Sequence, residues 1–413
     1  MSTLRLAPRQ GVPESHVIPG ATRRELAPAY DAVIVGGGLQ GIALSYELAK
    51  RDFGRIAVLE ARYPGSGASG RNGEMIRSAF ATDEWVGLFD DSLRRWHTLS
   101  AELDFNVLFT KAGYLLLAST DAACKAGARN VVLQRRHGLR VELLDHDEVR
   151  ALCPEMAPEM IAGGVLQTDA GFAHHDATLW AYAQAAARRG VEIHPYTTVT
   201  GFDVAAGAVR SVTTTRGEIS TRVVVDAGGG QAREIALLAG VDVPVETLRL
   251  EAMVTEPLAP FLRPAVSCPA IMGYCHQTTR GEFVGGAEPD APTPSMSIRS
   301  TLEGARDMAT KFVRLFPGLA GVRMMRHWSG LVTQTADVAP ILGRAPELEG
   351  FYIDCGWVYG FVGAPAAAAL MAELIATGAT PPTLEPFGVE RFASGRLIRE
   401  TSLVVAPTGG AEP

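Results

Sequence analysis

The stretch Asp31–Lys50, DAVIVGGGLQGIALSYELAK, decides the fold. Its AVIV run is short, apolar and mostly β-branched, as a buried strand requires; glycines follow at once, and then Ile42, Tyr46 and Ala49 recur at helical spacing. Arg55–Glu60, RIAVLE, reads as a second buried strand, so the order is strand, tight turn, helix, strand. Gly36-Gly37-Gly38-Leu39-Gln40-Gly41 fits G-x-G-x-x-G. In that pattern Gly36 makes the turn, Gly38 admits a pyrophosphate and Gly41 lets the helix approach the strand. The helix amino terminus then turns unpaired N–H groups toward phosphate. Glu60 stands where a carboxylate accepts bonds from adenosine ribose hydroxyls. A glycine-rich turn of an unrelated α/β protein is the alternative, and the flanking strands and helix weigh against it. The glycines alone do not separate FAD from NAD.

Outward from this unit, Asp83–Leu103 predicts a long amphipathic helix, with Trp85, Leu88, Phe89, Leu93 and Trp96 three and four residues apart. Thr178–Arg189 predicts another, ended by Gly190, and VEIHPYTTVTGFDV after it has strand character. A hairpin turning at Arg216 and Gly217 leads to an apolar strand closed by Gly228, Gly229 and Gly230, where a ligand can come close. Leu248–Glu256 and Ala270–Gly286 carry the patterns of a separate antiparallel sheet. Gly350–Asp354 reads as a strand, CGWVYGFVGAP as a glycine-broken loop, and the segment from Ala366 as a helix to Ala376.

With 413 residues the chain is long enough for two cores. A 47% hydrophobic and 20% charged composition is that of a folded protein, and no uninterrupted apolar run nears the roughly 18 residues of a membrane span. A formal charge of −7 argues against a general nucleic-acid binder. Cys124, Cys153, Cys268, Cys275 and Cys355 form an odd set without a C-x-x-C pair, pointing to neither a disulfide framework nor a zinc site, and to a reducing cytoplasm. No metal is expected. The first thirty residues lack a signal-peptide core and read as an extended arm of the kind that lies across a partner.

After Glu60 the chain continues ARYPGSGASGRNGEMIRSAF, and further on carry AHHDATLWAYAQAA, YCHQTTRGEFVGG, FYIDCGWVYGF and EPFGVERFASGRLIRE. These stretches, in order along nearly the whole chain, resemble the D-amino-acid oxidase superfamily of FAD-dependent amine oxidoreductases, and within it the β-subunit branch of the heterotetrameric sarcosine oxidases. The resemblance implies a mixed α/β fold: a discontinuous Rossmann-like FAD-binding domain with an inserted antiparallel-sheet substrate domain, the flavin lying at their junction. The divisions expected are an extended arm at 1–29; an FAD-binding domain at 30–110, 163–240 and 328–385; a substrate domain at 111–162 and 241–327; and a tail at 386–413.

The same resemblance implies FAD contacts at Gly36, Gly38, Leu39, Gln40, Gly41, Glu60, Ala61, Ser69, Arg71, Asn72, Gly73, Met75, Val199, Ala227, Gly228, Gly360, Phe361 and Val362. Arg77, in EMIRSAF, matches an arginine that clamps the substrate carboxylate, a task suited to the two parallel donors of a guanidinium. An ordinary ion-pair arginine is the alternative. The backbone of Tyr359, Gly360 and Phe361 is expected against the flavin pyrimidine edge, where N–H donors stabilise negative charge on the reduced ring; a simple tight turn is the alternative. His276 is read as facing the substrate cavity or as a structural histidine, and Asp337 as near the flavin or as a turn-forming carboxylate. His175 matches the histidine carrying covalent FMN at the interface with a large subunit; His174 is not separable from it by sequence, and both also read as flanking a helix start capped by Asp176.

Two positions depart from the family pattern. Val362 stands where the resembling enzymes have lysine, and Glu74 where single-chain relatives have arginine. Val362 removes a cationic contact to the substrate carboxylate or to oxygen chemistry, and Glu74 points to a larger or differently charged N-alkyl amino acid than sarcosine. The expected function is therefore FAD-dependent hydride removal from a secondary amine, the chain acting as the β subunit of a hetero-oligomeric oxidase. The alternatives are an amino-acid or opine-type dehydrogenase, a flavin-carrying relay subunit active only in a complex, and, least supported, a nicotinamide-dependent reductase.

Overall fold

The computed structural model describes residues 20–22, 25–288 and 294–402. Six strands build the first sheet, in the order Ile341–Arg344, Phe351–Cys355, Val224–Asp226, Ala32–Val35, Ile56–Leu59, Glu192–His194. Five are parallel, and Ile341–Arg344 runs antiparallel at one edge. Ala32–Val35 has strands on both sides and layers on both faces, which is why it is apolar throughout rather than alternating. Ala32 and Ile34 pack under the helices Leu39–Ala49, Asp83–Glu102, His175–Arg188 and Gly360–Thr377, whereas Val33 and Val35 pack toward a three-stranded sheet and the helix Ala232–Leu238. That small sheet is formed by Val199–Ala205, Ala208–Thr214 and Gly217–Ser220, and its hairpin turns at Thr215 and Arg216, within one residue of expectation.

The second large sheet has eight strands, in the order Met324–Gln334, Glu246–Pro257, Glu282–Ala287, Gly273–Gln277, Ala265–Cys268, Tyr114–Ala118, Gly163–Gln167, Val141–Asp145. It is antiparallel except where Ala265–Cys268 meets Tyr114–Ala118 in parallel. Its outer face buries Val266, Cys275 and Phe283 with Met308 and Phe312 of the helix Leu302–Leu315. Leu250, Ala252, Ser267 and Tyr274 point the other way and line a cavity between the two sheets. Gly163–Gln167 and all of Met324–Gln334 pair within this sheet.

The helix Asp83–Glu102 starts where the Thr82 hydroxyl accepts the Trp85 N–H, with Asp83 and Glu84 in the first turn against the positive end of the helix dipole. Two other helices begin earlier than their apolar spacing indicates. One starts at His175, and its cap is His174, whose Nδ1 accepts the Ala177 N–H at 3.4 Å; Asp176 lies in the first turn and is not the cap. The other starts at Gly360, so much of the expected loop is helical, with Pro365 inside it and Gly378 in the left-handed conformation closing it. By length and composition Gly360–Thr377 could cross a membrane, but 67% of it is buried inside the protein, as a core helix is.

Both ends of the described chain fold back on it. The Thr22 N–H donates to Ile193 at 2.8 Å and Tyr30 to Ser220 at 3.1 Å; most of the expected arm lies outside the described residues. Toward the carboxyl end, Glu400 accepts the Ala81 and Thr82 N–H groups at 2.8 and 3.1 Å. Arg391 meets Asp337 through two parallel bonds, Nε to Oδ2 at 2.8 Å and Nη2 to Oδ1 at 2.9 Å. Burial alone would raise the Asp337 pKa; the Arg391 hydrogen bond and charge hold it below the usual range. Asp337 is thus a buried structural anion that clamps the tail and does not line the cavity, which corrects its expected place near a flavin. Arg391→Met strands that anion, so urea denaturation should show a loss of about 3–5 kcal/mol.

Candidate active site

The cavity has a volume of about 670 Å³ and runs from the carboxyl ends of the parallel strands to the inner face of the eight-stranded sheet. At one end lies the glycine turn. Gly36 has φ +117°, and a Cβ there would sit 2.3 Å from the Ala227 carbonyl oxygen. Gly41 does not line the cavity: it lies 2.2 Å, by the same measure, from the Gly36 oxygen, so its role is the close contact of helix and turn. Glu60 is fixed by the Gly37 N–H at 2.8 Å and the Arg62 N–H at 2.7 Å, and Ser69 Oγ accepts the Leu39 N–H at 2.8 Å. Gln40 donates to the Gly360 oxygen at 2.8 Å, tying the helix Leu39–Ala49 to Gly360–Thr377, and its own Oε1 is buried without a partner among the described residues.

Gly36, Gly38, Leu39, Gln40, Glu60, Ala61, Ser69, Arg71, Asn72, Gly73, Met75, Val199, Ala227, Gly228, Gly360, Phe361 and Val362 all line this cavity, with Arg77 and Tyr359. Gly73 is required where it is, since a Cβ would fall 1.9 Å from the Tyr274 ring. The amino terminus of Gly360–Thr377 comes to the wall with Tyr359 in the capping position. Val362 adds no charge: its side chain lies in the core, and its carbonyl oxygen accepts Ser92 Oγ and, at 3.0 Å, Trp96 Nε1.

Arg77 is 2% exposed. Its guanidinium lies 3.9 Å from the centre of the Phe80 ring, 5.0 Å from Tyr114 and 5.1 Å from Tyr359. It donates to the Ala79 oxygen at 3.1 Å and reaches Ser402 O at 3.5 Å. Among the described residues no carboxylate pairs with it, so a permanent cation stands on the cavity wall in an aromatic cage without a counter-charge.

Behind Glu74 the structure departs from expectation. His276 is fully buried, stacked on Phe172 at 4.3 Å, and does not line the cavity; its Nε2 is 3.5 Å from Glu74. A substrate-facing role for His276 is therefore corrected to a packing role. Glu74, at φ +63°, binds His175 twice, through the backbone N–H at 3.1 Å and Nδ1 at 2.5 Å. Burial would raise the Glu74 pKa, but the His175 hydrogen bond, with His276 Nε2 3.5 Å away, holds it well below the usual range. Burial likewise opposes charge on His175, yet Glu74 raises its pKa overall. Glu74 lines the cavity while His175 does not, so the carboxylate stands between the cavity and a ring that is 20% exposed. Glu74, His174 and His175 bring ligand-type atoms within 4.8 Å of one another, but the Glu74–His175 bond and the capping bond of His174 already engage this group.

These residues fit FAD: a glycine cradle at a helix amino terminus, a fixed carboxylate at the end of the second strand, and a cavity of about 670 Å³ running from both to the eight-stranded sheet. Fold and site define a dinucleotide-dependent oxidoreductase. Residues 31–374 match the FAD dependent oxidoreductase family, and the chain belongs to it. It is 36% identical over 380 residues to "Sarcosine oxidase subunit beta" of Rhizobium meliloti (strain 1021), covering 90% of this chain and 91% of that one. Among solved structures, L-proline dehydrogenase from P. horikoshii superposes with a TM-score of 0.86 at 30% identity, covering 90% of this chain and all of the other (100%). Glycine oxidase from Geobacillus kaustophilus gives 0.81 at 26% identity, over 88% and 99%.

Proposed function

We propose that this chain oxidises a carboxylate-bearing secondary amine, an N-alkyl amino acid of the sarcosine type, as the β-like subunit of a multi-subunit oxidase. The observation that carries this reading is Arg77, a caged cation on the cavity wall that a substrate carboxylate would complete. FAD, when bound, supplies the hydride acceptor. Arg77 binds and orients the substrate, and the start of Gly360–Thr377 brings peptide N–H groups and the positive end of a helix dipole to the cavity wall, where they would stabilise negative charge on a reduced flavin. Tyr274 takes no part as a base, because burial and then the Glu74 charge push its hydroxyl up to about 12. The amine thus enters neutral, and the chain contributes chiefly by positioning. The five cysteines are all unpaired, which fits a reducing cytoplasm.

His175 is the proposed attachment point of an FMN shared with a partner subunit. With Nδ1 engaged by Glu74, the neutral ring keeps its lone pair on Nε2, which lies 3.7 Å from Asp176 Oδ1 and would be the nucleophilic atom. Acid precipitation of the protein coexpressed with its partner subunits tests this: FAD should appear in the supernatant and a yellow, flavin-bearing peptide containing His175 in the pellet. A colourless pellet overturns the FMN assignment. Because Glu74 raises the His175 pKa, attachment should accelerate as pH rises through that value. Glu74→Gln should move the midpoint to lower pH while FAD is retained.

Val362 favours a second reading, a dehydrogenase passing electrons to an acceptor other than oxygen, since the family lysine is replaced here by a core side chain. Oxygen uptake after anaerobic reduction by substrate separates the two.

A further inference from the structure

Arg77 runs straight into a loop, residues 78–82, whose backbone is gripped by three side chains from distant parts of the chain. Gln167 Oε1 accepts the Ser78 and Ala79 N–H groups at 2.9 and 3.0 Å, and Gln134 Nε2 donates to the Phe80 oxygen at 2.8 Å. Glu400, from the tail, holds the end of the loop. Its Oε2 accepts the Ala81 and Thr82 N–H groups at 2.8 and 3.1 Å and the Thr82 hydroxyl at 3.3 Å. All three side chains are buried.

The other oxygen of Glu400 holds the tail itself: Oε1 accepts the Ser402 N–H at 2.7 Å and the Ser402 hydroxyl at 2.6 Å. The two segments that this carboxylate ties together each present a carbonyl to Arg77. Ala79 O accepts from Nη1 at 3.1 Å and Ser402 O from Nη2 at 3.5 Å. The loop also carries Phe80, whose ring centre lies 3.9 Å from the guanidinium. A closed circuit thus runs from Arg77 through residues 79–81 to Glu400, on to Ser402 and back to Arg77. A buried carboxylate is costly unless its oxygens are satisfied, and here donors from both segments satisfy them, so the charge fixes their junction and does not neutralise Arg77. Arg77 keeps its remaining N–H groups for a ligand in the cavity, and a long side chain already held in place loses little rotamer freedom when that ligand binds.

We propose that Glu400 is a positioning residue for the substrate: by joining residues 79–82 to Ser402 it fixes the two carbonyl oxygens that aim Arg77, and so sets the affinity of the cavity for a carboxylate. This rests on the reading of Arg77 as the group that binds the substrate carboxylate. The plainer role, an anchor of the tail and of the start of Asp83–Glu102, affects folding and cofactor retention without distinguishing charged from neutral ligands.

The test uses acetate and its neutral isostere acetamide as probes, each titrated into the FAD-loaded protein coexpressed with its partner subunits and followed by the visible flavin absorbance. In Glu400→Gln an N–H donor replaces one acceptor oxygen, which releases one of the two segments. Acetate should then bind about tenfold more weakly, the equivalent of one hydrogen bond out of place, while FAD content and acetamide affinity stay at the wild-type level. Ser402→Ala removes only the hydroxyl donor to Oε1; it should weaken acetate by about twofold to threefold, and it decides the matter if Glu400→Gln does not fold. Equal losses for acetate and acetamide, or an unchanged acetate affinity in the folded variant, overturn the proposal. Arg77→Lys is the control. If it leaves acetate affinity unchanged, or if the wild type does not favour acetate over acetamide, the carboxylate reading of Arg77 falls and the proposal with it; a loss in Arg77→Lys without a loss in Glu400→Gln removes the role of Glu400 alone.

Discussion

Gly36→Ala is expected to give a folded chain that no longer retains FAD. At φ +117° an L side chain is strained, at a cost of about 1–3 kcal/mol, and the added Cβ would lie 2.3 Å from a backbone oxygen, Ala227 O, that no rotamer change can move. Relief requires the turn and the end of Val224–Asp226 to part, and that gap is the cradle itself. A loss of about 3 kcal/mol in cofactor affinity corresponds to roughly 100-fold. The ratio of visible flavin absorbance to protein after gel filtration, with circular dichroism to confirm folding, reads the effect. A folded variant with the full complement of FAD would show that the dinucleotide does not use this turn.

Arg77→Lys should retain FAD yet lose most of its turnover of carboxylate-bearing amines. The planar guanidinium sits among Phe80, Tyr114 and Tyr359, and an ammonium offers neither the flat contact nor two parallel donors. Removing one partner of a buried, hydrogen-bonded charge pair costs about 2–5 kcal/mol, which here means kcat/KM lower by tens-fold to thousands-fold. An amine without a carboxylate should be turned over poorly and equally by both proteins. If the variant loses the two substrates in the same proportion, Arg77 supports the fold of the wall and does not bind the carboxylate.

The dinucleotide half was legible because its signals are local. A buried strand, a glycine turn and Glu60 follow one another within thirty residues, from Asp31 to Glu60, and each has one physical reading. The helix starts were less legible, since apolar spacing marks the buried part of a helix and not its cap. His174 is an unusual cap, and Gly360 begins a helix that carries Pro365 in its second turn. The parallel junction between Tyr114–Ala118 and Ala265–Cys268 joins segments about 150 residues apart, and no periodicity encodes such a partner. His276 misled because a histidine on a strand looks alike whether its face meets a cavity or the Phe172 ring.

In the proposed reaction, FAD in this cavity is reduced by an amine whose carboxylate meets Arg77. Its most direct test is anaerobic titration of the FAD-loaded protein with N-methyl amino acids, following the visible flavin absorbance, beside the corresponding amines that lack the carboxylate. Bleaching by the amino acids at far lower concentration than by the carboxylate-free amines is the predicted result. Stoichiometric FAD that none of the N-methyl amino acids bleaches, or that both classes bleach equally, would contradict it.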